Sequence, residues 1–482
     1  MTLNLKMQSD LIDRASARFS NPPMVYREPE VFSDVGNSER LIRRHGTDLL
    51  HVAEWGWLAW SGRHWLRDDL AARRLAIETV KAIFTEAADA PLSDQKSLAA
   101  HALRSQQASR IQGALFCAAP ALAAKTDDFD QQPMLLPVAN GTLDLRSGQL
   151  GEHRREHRMT RTTAVAWSPC AVCPTWLAFL ERVLPDAEVR DFIRRAVGYS
   201  LTGSVAEQKL FFLYGSGRNG KSVFLEILEA LAGEYSTPTR METLTINRGA
   251  IPNDIAALAG ARVVTVSETA EGARLNESLV KDLTGGDAIS ARFLRQEFFT
   301  FKPQFKLWIR GNHKPQIRGS DDGIWRRLML VPFTVQIPLD EVDHDLPAKL
   351  RAELPGILNW AVQGCLEWQA GGLRPPEAVT AAVGEYRGEM DILGQFINEC
   401  CVAIPGAITT AKALYSAYSK WCADSGEQAV AQRRFGMALS ERGFERVKSG
   451  TVSWNGIGLL ATGRDESQPC PRCHGEGCEW CK

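Results

Sequence analysis

The stretch that decides the fold is Gly215-Ser216-Gly217-Arg218-Asn219-Gly220-Lys221-Ser222, which has the pattern GxxxxGK[ST]. An apolar, β-prone run precedes it at 210–214, and a run with helical spacing follows it at 223–228. A strand, a glycine-rich loop and a helix in this order bind phosphates, because backbone N–H groups and the helix N-terminus surround them. All eight residues are therefore predicted to bind ATP, with Lys221 on the β- and γ-phosphates and Ser222 on Mg²⁺.

A second β-prone run, 262–267, ends at the acidic residue Glu268. A carboxylate at the end of such a strand can act as a general base or hold Mg²⁺, and Glu268 is the candidate for both roles. ATPases usually have an Asp-Glu pair at this point, and here Ser267 replaces the Asp. It therefore remains open whether Glu268 has one of these roles or both. Glu271 is the second candidate.

A third apolar run, 305–310, leads to Asn312. A polar residue at the tip of a strand beside the phosphate loop can hold the attacking water, and we assign Asn312 this role. Arg326 and Arg327 follow, and an arginine there suits a finger that reaches into the site of a neighbouring subunit. Position favours Arg327 as the catalytic arginine, and Arg326 could instead form a structural ion pair.

Size and composition are those of an ordinary protein without a membrane span. The 482 residues suggest about three domains, and a net charge of −1 neither supports nor excludes binding to nucleic acid. No apolar run is long enough to cross a bilayer, and residues 1–6 lack the apolar core of a signal peptide, so we expect a cytoplasmic protein without a membrane partner. The eleven cysteines are spaced too unevenly for a disulfide framework.

Two stretches before the phosphate loop allow two interpretations each. The tryptophans of 51–65 predict two short strands, and we favour a small aromatic core over stacking on the bases of single-stranded DNA. The basic cluster at 154–158 is expected to be a solvated face, with phosphate contact as the alternative. Cys170 and Cys173 are interpreted as ordinary cysteines.

The C-terminal part of the chain indicates two further units. Helices at 409–424 and 430–442, followed by two short strands around Ser449-Gly450, predict a winged helix-turn-helix. Beyond it, two CxxC pairs separated by four residues could close a tetrahedral Zn²⁺ site, and an end without metal is the alternative. The four predicted zinc ligands are Cys470, Cys473, Cys478 and Cys481.

The order of the motifs identifies a family. The stretch 215–222, Glu268, the segment 281–287, Asn312 and the segment 325–327 follow one another within little more than a hundred residues. This arrangement resembles the superfamily 3 helicases of phages, plasmids and DNA viruses, specifically the phage/plasmid primase-helicase family. The resemblance covers about 170–340, and no set of primase metal ligands is found, so the chain resembles the helicase without the primase.

The resemblance implies an AAA+-type core that assembles as a ring, commonly a hexamer, with ATP between subunits and an arginine acting in trans. It also implies 3′-to-5′ movement on single-stranded DNA through a pore that is lined by a β-hairpin, here at 289–302. The β-prone flanks and polar tip of that segment support the hairpin independently. The residues predicted to contact DNA are Lys281, Arg292, Arg295, Gln296 and Lys302, and a plain surface charge is the alternative for each cation.

The predicted fold class is α/β, with an AAA+-type P-loop ATPase core, an N-terminal α+β domain, a C-terminal winged-helix-like domain and a short cysteine-rich tail. The predicted domains are a flexible N-terminus at 1–20, the α+β domain at 21–165, a helical oligomerisation segment at 166–202, the ATPase core at 203–338, a helical lid at 339–402, the winged-helix-like domain at 403–463 and a zinc-knuckle-like tail at 464–482.

The leading functional hypothesis is a ring-forming, ATP-dependent DNA helicase of phage, prophage or plasmid replication, acting on single-stranded and forked DNA in a bacterial host. A separate primase or host replication proteins would be its partners. The alternatives are an ATP-gated origin-binding or loading factor without processive unwinding, and a P-loop ATPase that acts on protein or small substrates.

Overall fold

The structure is a computed structural model that describes residues 32–246, 253–267, 272–295, 297–317 and 322–460. Within these ranges the chain divides into two compact units. The first unit takes in the described residues up to 131 together with 153–160, and the second takes in 132–152 and the described residues from 161 onward. The predicted flexible N-terminus and the cysteine-rich tail lie outside the described residues.

The first unit combines a small sheet with helices. Its elements are α1 (Asp34–His45), β1 (Leu49–Val52), β2 (Gly56–Trp60), β3 (Trp65–Arg67), α2 (Asp69–Asp89), α3 (Leu92–Ser105), α4 (Ala108–Ala118) and β4 (Ala123–Ala124). The strand order is β3-β2-β1-β4. The chain can enter α2 because the Asp68 carboxylate accepts the N–H of Ala71, one of the donors that a helix start leaves open.

The tryptophans of the first unit pack as the sequence predicts. Trp57 and Trp65 are buried, and Trp55 and Trp60 are half-buried. Trp60 and Trp65 lie with ring centroids 5.6 Å apart, and the guanidinium of Arg67 lies 3.9 Å from the Trp55 ring centroid. The aromatic core is thus confirmed for Trp57 and Trp65, and this segment forms three strands rather than the two predicted.

The second unit begins with a three-stranded antiparallel sheet and two helices. Asn140-Gly141 and Ser147-Gly148 flank the middle strand, as expected from their turn-forming residues. The break predicted near Pro185 separates the two helices. The elements are β5 (Leu135–Val138), β6 (Gly141–Asp144), β7 (Gln149–Gly151), α5 (Pro174–Val183) and α6 (Ala187–Ser200).

A five-stranded parallel sheet forms the centre of the second unit. Its segment of the chain contains β8 (Leu210–Tyr214), α7 (Lys221–Ala232), β9 (Ser236–Arg240), α8 (Asn253–Ala256), β10 (Val263–Ser267), α9 (Glu277–Gly285), β11 (Ile289–Ala291), β12 (Phe299–Phe301), β13 (Lys306–Gly311), α10 (Asp322–Trp325) and β14 (Leu328–Pro332). The strand order in the sheet is β14-β8-β13-β10-β9, and all pairs are parallel. Strands β11 and β12 form a separate antiparallel hairpin.

Strand β8 is apolar along its whole length because both faces of the sheet are covered there. Residues of alternate direction on β8, Phe211 and Phe212, are both buried. Phe211 stacks on Trp308 of β13 at 4.4 Å between ring centroids. The predicted mixed α/β fold with a parallel sheet is therefore observed, and it is consistent with a P-loop-type core.

Four helices follow the sheet: α11 (Leu346–Ala352), α12 (Leu354–Gly371), α13 (Glu377–Met390) and α14 (Ile392–Cys400). Helix α12 crosses α6 at two glycines. A Cβ on Gly364 would overlap the carbonyl oxygen of Arg194, and a Cβ on Gly198 would overlap the backbone nitrogen of Cys365. The two helix backbones are thus in direct contact at this crossing.

The last described segment contains β15 (Cys401–Thr410), α15 (Ala411–Asp424), α16 (Gln432–Glu441), β16 (Glu445–Ser449) and β17 (Thr451–Leu459). The two helices and the hairpin agree with the prediction, and the strands form an antiparallel sheet of order β15-β17-β16. The sequence analysis missed β15. A register shift between Ala403 and Ile408 breaks the alternation that would have revealed this strand.

Candidate nucleotide site

The phosphate loop connects the C-terminal end of β8 to the first residue of α7. Gly217 and Gly220 adopt φ values of 94° and 82°, a region in which glycine carries no steric penalty. Gly215 is also required to be small, because a Cβ there would overlap the carbonyl oxygen of Phe333. At Gly220 an added Cβ would lie 2.8 Å from Cγ1 of Val183. The loop conformation therefore depends on the glycines of the motif.

Lys221 is only 5% exposed, and its ammonium group is directed into the loop. The Nζ atom donates to the Gly215 carbonyl at 2.8 Å, to Asn219 Oδ1 at 2.9 Å and to Asn312 Oδ1 at 3.2 Å. Of the predicted catalytic residues, the structure thus brings Lys221 and Asn312 into direct contact.

Asn312 reaches the loop because β13 is the direct neighbour of β8. The register places Gly311, the last residue of β13, opposite Tyr214, the last residue before the loop. The next residue on each strand therefore lies at the same edge of the sheet. The sequence predicts a polar side chain at the end of a strand beside the loop, and Asn312 occupies that position.

Residues after β14 complete the wall of the loop, and the sequence analysis did not identify them. Asn219 Nδ2 donates to the Phe333 carbonyl at 2.9 Å, and the N–H of Ile337 donates to the Arg218 carbonyl at 2.8 Å. The side chain of Gln336 donates to Ser216 Oγ at 3.2 Å. No motif marks these residues, because two of the three contacts use their backbone atoms.

Ser222 is exposed at the second position of α7, where its hydroxyl can reach a group bound in the loop. The backbone φ values, the ammonium of Lys221 and the start of α7 together form a site suited to phosphate oxygens. On these observations the residues of the loop fit the phosphates of a nucleotide.

Strand β10 ends at Ser267, and the candidate carboxylates Glu268 and Glu271 lie outside the described residues. The strand is separated from β8 by β13. Its Thr265 hydroxyl donates to the carboxylate of Glu229 on α7. This bond connects β10, the strand that leads to Glu268, to α7, the helix that follows the phosphate loop.

Lys314 is a further residue of this region that the sequence analysis missed. It follows Asn312 by two residues, and its Nζ lies 2.8 Å from both carboxylate oxygens of Glu389 on α13. The ammonium also lies 4.9 Å from the ring centroid of Tyr214 and 5.3 Å from that of Tyr386. Helix α13 is thereby attached to the segment that follows β13 and contains Asn312.

Arg326 and Arg327 directly precede β14, at the N-terminal ends of the strands. The phosphate loop lies at the C-terminal ends. Arg327 is 8% exposed and donates to Thr284 Oγ1 at 3.1 Å, to the Gly323 carbonyl at 2.7 Å and to Gln208 Oε1 at 3.3 Å. Arg326 is exposed. Its carbonyl accepts a hydrogen bond from the Lys209 ammonium, and burial together with the charges of Arg326 and Arg327 lowers the pKa of Lys209.

The predicted DNA-binding hairpin is present, with β11 and β12 joined through 292–298. Arg292, Arg295 and Lys302 are exposed, and Lys281 on α9 is half-buried. Gln296 lies outside the described residues. Phe293, Leu294 and Phe298, which flank the predicted polar tip at 295–297, are all more than a third exposed.

Aromatic contacts order the hairpin tip. The guanidinium of Arg292 lies 4.8 Å from the ring centroid of Phe298, and Phe293 stacks on Phe299 at 5.6 Å between centroids. Such a tip presents cations and π-faces together, the two groups that bind single-stranded nucleic acid without sequence preference.

The predicted zinc ligands Cys470, Cys473, Cys478 and Cys481 lie outside the described residues. The part of the chain that the structure describes contains no group of three or more His, Cys, Asp or Glu side chains suited to a metal ion. Within the described ranges, the helices are too short or too polar to cross a bilayer.

Three protein families match consecutive parts of the chain. A family described as D5 N terminal like matches residues 38–185, and one described as Poxvirus D5 protein-like matches residues 388–450. A family of unknown function matches residues 213–327, the segment with the phosphate loop.

Curated relatives come from large DNA viruses. A provisionally named helicase of Acanthamoeba polyphaga mimivirus is 32% identical over 250 residues, which are 47% of this chain and 26% of that protein. A provisionally named helicase of Frog virus 3 is 27% identical over 55% of this chain and 29% of its own length. A provisionally named primase of African swine fever virus is 25% identical over 42% of this chain and 22% of its own. The matches thus span between a fifth and a third of these relatives' length.

Solved structures similar to this chain include the apo C-terminal region of NrS-1, which is 10% identical with a TM-score of 0.40. The similarity covers 63% of this chain and 80% of that one. A score of this size carries no conclusion about function.

Proposed function

We propose that this chain, for which the matches support a phage and viral primase-helicase family, is an ATP-dependent DNA helicase of replication. The family is the one that the order of the motifs predicted. The helicase would assemble as a ring, commonly a hexamer, hydrolyse ATP between subunits and move 3′-to-5′ on single-stranded DNA. Mobile-element replication in a bacterial cytoplasm, with a separate primase or host replication proteins as partners, belongs to the same proposal.

The observation that carries the proposal is the contact of Lys221 with Asn312 inside a glycine loop, at the C-terminal edge of a parallel sheet. A bound triphosphate would place its γ-phosphate near the Lys221 ammonium. Asn312 is then close enough to orient a water for attack on that phosphate. This pairing gives the site a role in hydrolysis as well as in binding.

Mg²⁺ supplies charge neutralisation at the phosphates when it is bound. In our proposal the Ser222 hydroxyl holds it, and Glu268, one residue beyond the end of β10, supplies a carboxylate as metal ligand or general base. A carboxylate directly after β10 suits either of these two roles.

The arginine that completes the site is proposed to come from a neighbouring subunit. Strand β14 separates Arg326 and Arg327 from Phe333, which contacts the subunit's own phosphate loop. Five strand residues correspond to about 17 Å, so a side chain before β14 is poorly placed for its own loop. An arginine at this edge is better placed to serve the site of another copy.

Of the two arginines, the contacts favour Arg326 as the finger, whereas sequence position favoured Arg327. The hydrogen bonds that Arg327 donates to Thr284, Gly323 and Gln208 would have to break before its side chain could reach outward. Arg326 is exposed. Nearby Lys209 adds positive charge, which suits a turn that approaches a phosphate.

Single-stranded DNA is the proposed track, and the hairpin at 289–301 is its proposed contact. Arg292, Arg295 and Lys302 would follow phosphates, and Phe298 would stack on bases. Gln296 and Lys281 are the remaining proposed DNA contacts.

A second candidate is an ATP-gated origin-binding or loading factor, and the arrangement after residue 400 supports it. Two helices and a hairpin in this order suit a winged-helix-like domain. Helix α16 exposes Arg433, Arg434 and Met437, as a helix that enters a DNA groove would. A Zn²⁺ site on Cys470, Cys473, Cys478 and Cys481 would extend this surface.

Unwinding of a forked duplex decides between the two candidates. We expect the purified chain to separate a fork with a 3′ single-stranded tail in the presence of ATP and Mg²⁺, and Lys221→Ala to abolish both unwinding and hydrolysis. Arg43→Ala, which removes an exposed cation of the first unit, is the control. Assembled rings that hydrolyse ATP without opening the fork would favour the loading factor.

A further inference from the structure

We propose that Arg327 is a positioning residue that couples the turn carrying Arg326 to the root of the hairpin at 289–301. This inference rests on the proposed function, because it assigns Arg327 a part in transmitting the state of the nucleotide site to the DNA-binding hairpin. It gives Arg327 a role inside its own subunit rather than in the neighbour's site.

The first step is the fork of contacts that Arg327 makes. Its Nε donates to the hydroxyl of Thr284, in the last turn of α9, while its Nη1 donates to the carbonyl of Gly323 in α10. Helix α10 ends at Trp325, directly before Arg326. One planar guanidinium therefore holds two helices, and its rigid fork fixes their relative orientation.

The second step is the residue that closes this network. Gln208 accepts from Arg327 Nη2 at 3.3 Å and donates through Nε2 to the Gly285 carbonyl at 3.4 Å. The end of α9 is thus held by Arg327 through Thr284 and by Gln208 through Gly285. Gly286 packs against Val205, three residues before Gln208, because a Cβ on Gly286 would lie 2.9 Å from Cγ2 of Val205.

The third step is that the hydrogen bonds of Arg327 lie between the hairpin and Arg326. Strand β11 of the hairpin begins at Ile289, shortly after Gly285, which is fixed at the end of α9. On the other side, Arg326 is the immediate chain neighbour of Arg327. A displacement of the Arg326 backbone toward a nucleotide in another subunit would therefore either move the root of the hairpin or break the Arg327 hydrogen bonds.

Coupling of this kind is reciprocal, because each ligand changes the affinity for the other by the same factor. Nucleotide between subunits should change the affinity for single-stranded DNA, and DNA should change the affinity for nucleotide by an equal factor. The Arg327 network is the proposed physical connection between them, so disrupting it should reduce that factor while each ligand still binds.

The test compares Thr284→Val with Thr284→Ser in the full chain. Serine keeps the hydroxyl that accepts from Arg327 and donates to the Val280 carbonyl, whereas valine keeps the shape and removes both bonds. The affinity for a fluorescent oligothymidine is measured with and without a non-hydrolysable ATP analogue, by anisotropy. Wild type and Thr284→Ser should show a change of at least about fivefold, and Thr284→Val a change below about twofold.

Gln208→Met provides the same test if Thr284→Val does not fold, because it removes the second bond to α9 from a half-buried side chain. Wild-type coupling in a folded Thr284→Val or Gln208→Met variant overturns the inference and leaves the proposed function intact. A wild-type chain whose DNA affinity does not respond to nucleotide overturns the inference and the proposed coupling of ATP to movement together.

Discussion

At the residue scale, the two neighbouring arginines are expected to behave differently when each is replaced. Arg326→Ala should lower ATP turnover by a factor of about 10³ or more, the effect of removing an arginine finger. The thermal midpoint should stay near that of wild type, because the side chain is exposed. Steady-state hydrolysis and thermal unfolding of the same preparation check both expectations.

Arg327→Met should affect the stability of the fold more than Arg326→Ala does. Removing the guanidinium leaves Thr284, Gly323 and Gln208 without their shared donor in a buried place, which should cost about 2 kcal/mol of the free energy of unfolding. Urea denaturation provides that number. Equal stability of Arg327→Met and wild type would contradict the structural role assigned to this side chain.

A mixing experiment tests whether the arginine acts in trans. Rings of Arg326→Ala subunits and rings of Lys221→Ala subunits should each be inactive. Mixed rings contain interfaces that combine an intact phosphate loop from one parent with an intact Arg326 from the other. We expect such mixtures to regain hydrolysis, and no recovery after verified subunit exchange would place the arginine elsewhere.

Those residues of the candidate site that leave a local pattern could be predicted from the sequence. Lys221 and Asn312 were predicted because a glycine loop and a strand tip each leave a pattern within a few residues. The pairing of Lys314 with Glu389 joins positions 75 apart and leaves no such pattern. The burial of Arg327 likewise depends on Gln208 and Thr284, so no local sequence rule could separate it from Arg326.

At the element scale, changes in the hairpin should affect the response of ATP hydrolysis to DNA without affecting basal hydrolysis. Replacing Arg292 and Arg295 with alanine should abolish stimulation of hydrolysis by single-stranded DNA and leave the basal rate. The slope of log affinity against log salt should fall by about 1.4, because each phosphate that a cation neutralises on a single strand adds about 0.7. Replacing exposed Arg43 and Arg44 of the first unit removes the same charge and should leave the slope unchanged.

The crossing of α6 and α12 provides a second prediction at this scale. Gly364→Ala places a Cβ against the Arg194 carbonyl, so the helices must separate, at an expected cost of about 2 kcal/mol. Gly384→Ala on α13 is the matched control, because nothing lies within 4 Å of its added Cβ. That control should be neutral or should gain up to about 1 kcal/mol from higher helix propensity. Thermal unfolding distinguishes the two variants.

The hydrophobic pattern predicted the central strands β8 and β13, because both faces of a parallel sheet are buried and residues 210–214 and 307–309 form unbroken apolar runs. It failed at β15, where Pro405 and Gly406 interrupt a strand whose residues are mostly exposed or half-buried. The flanks of the predicted polar tip were expected to be strand residues, and the structure exposes two of them, Leu294 and Phe298. A rule that assigns apolar residues to the interior cannot detect an apolar residue on the surface.

At the scale of the whole molecule, activity should depend on assembly. If the arginine comes from another copy, the specific rate of hydrolysis should rise with protein concentration and level off as rings form. Sedimentation or mass photometry with ATP analogue and single-stranded DNA should show a closed oligomer at the same concentrations. Full turnover by a monomer would contradict an intersubunit site.

The glycine crossing also determines where this protein can be divided. Helix α6 precedes the central sheet in the chain and α12 follows it, yet their backbones touch without a side chain between them. A fragment limited to residues 203–338 would lack both helices and expose part of the surface around Phe211, whose ring lies 6.1 Å from that of Phe192 on α6. Helix α6 therefore covers part of the sheet and is itself packed against α12, so a soluble fragment that contains this sheet should have to begin before Ala187 and continue past Gly371.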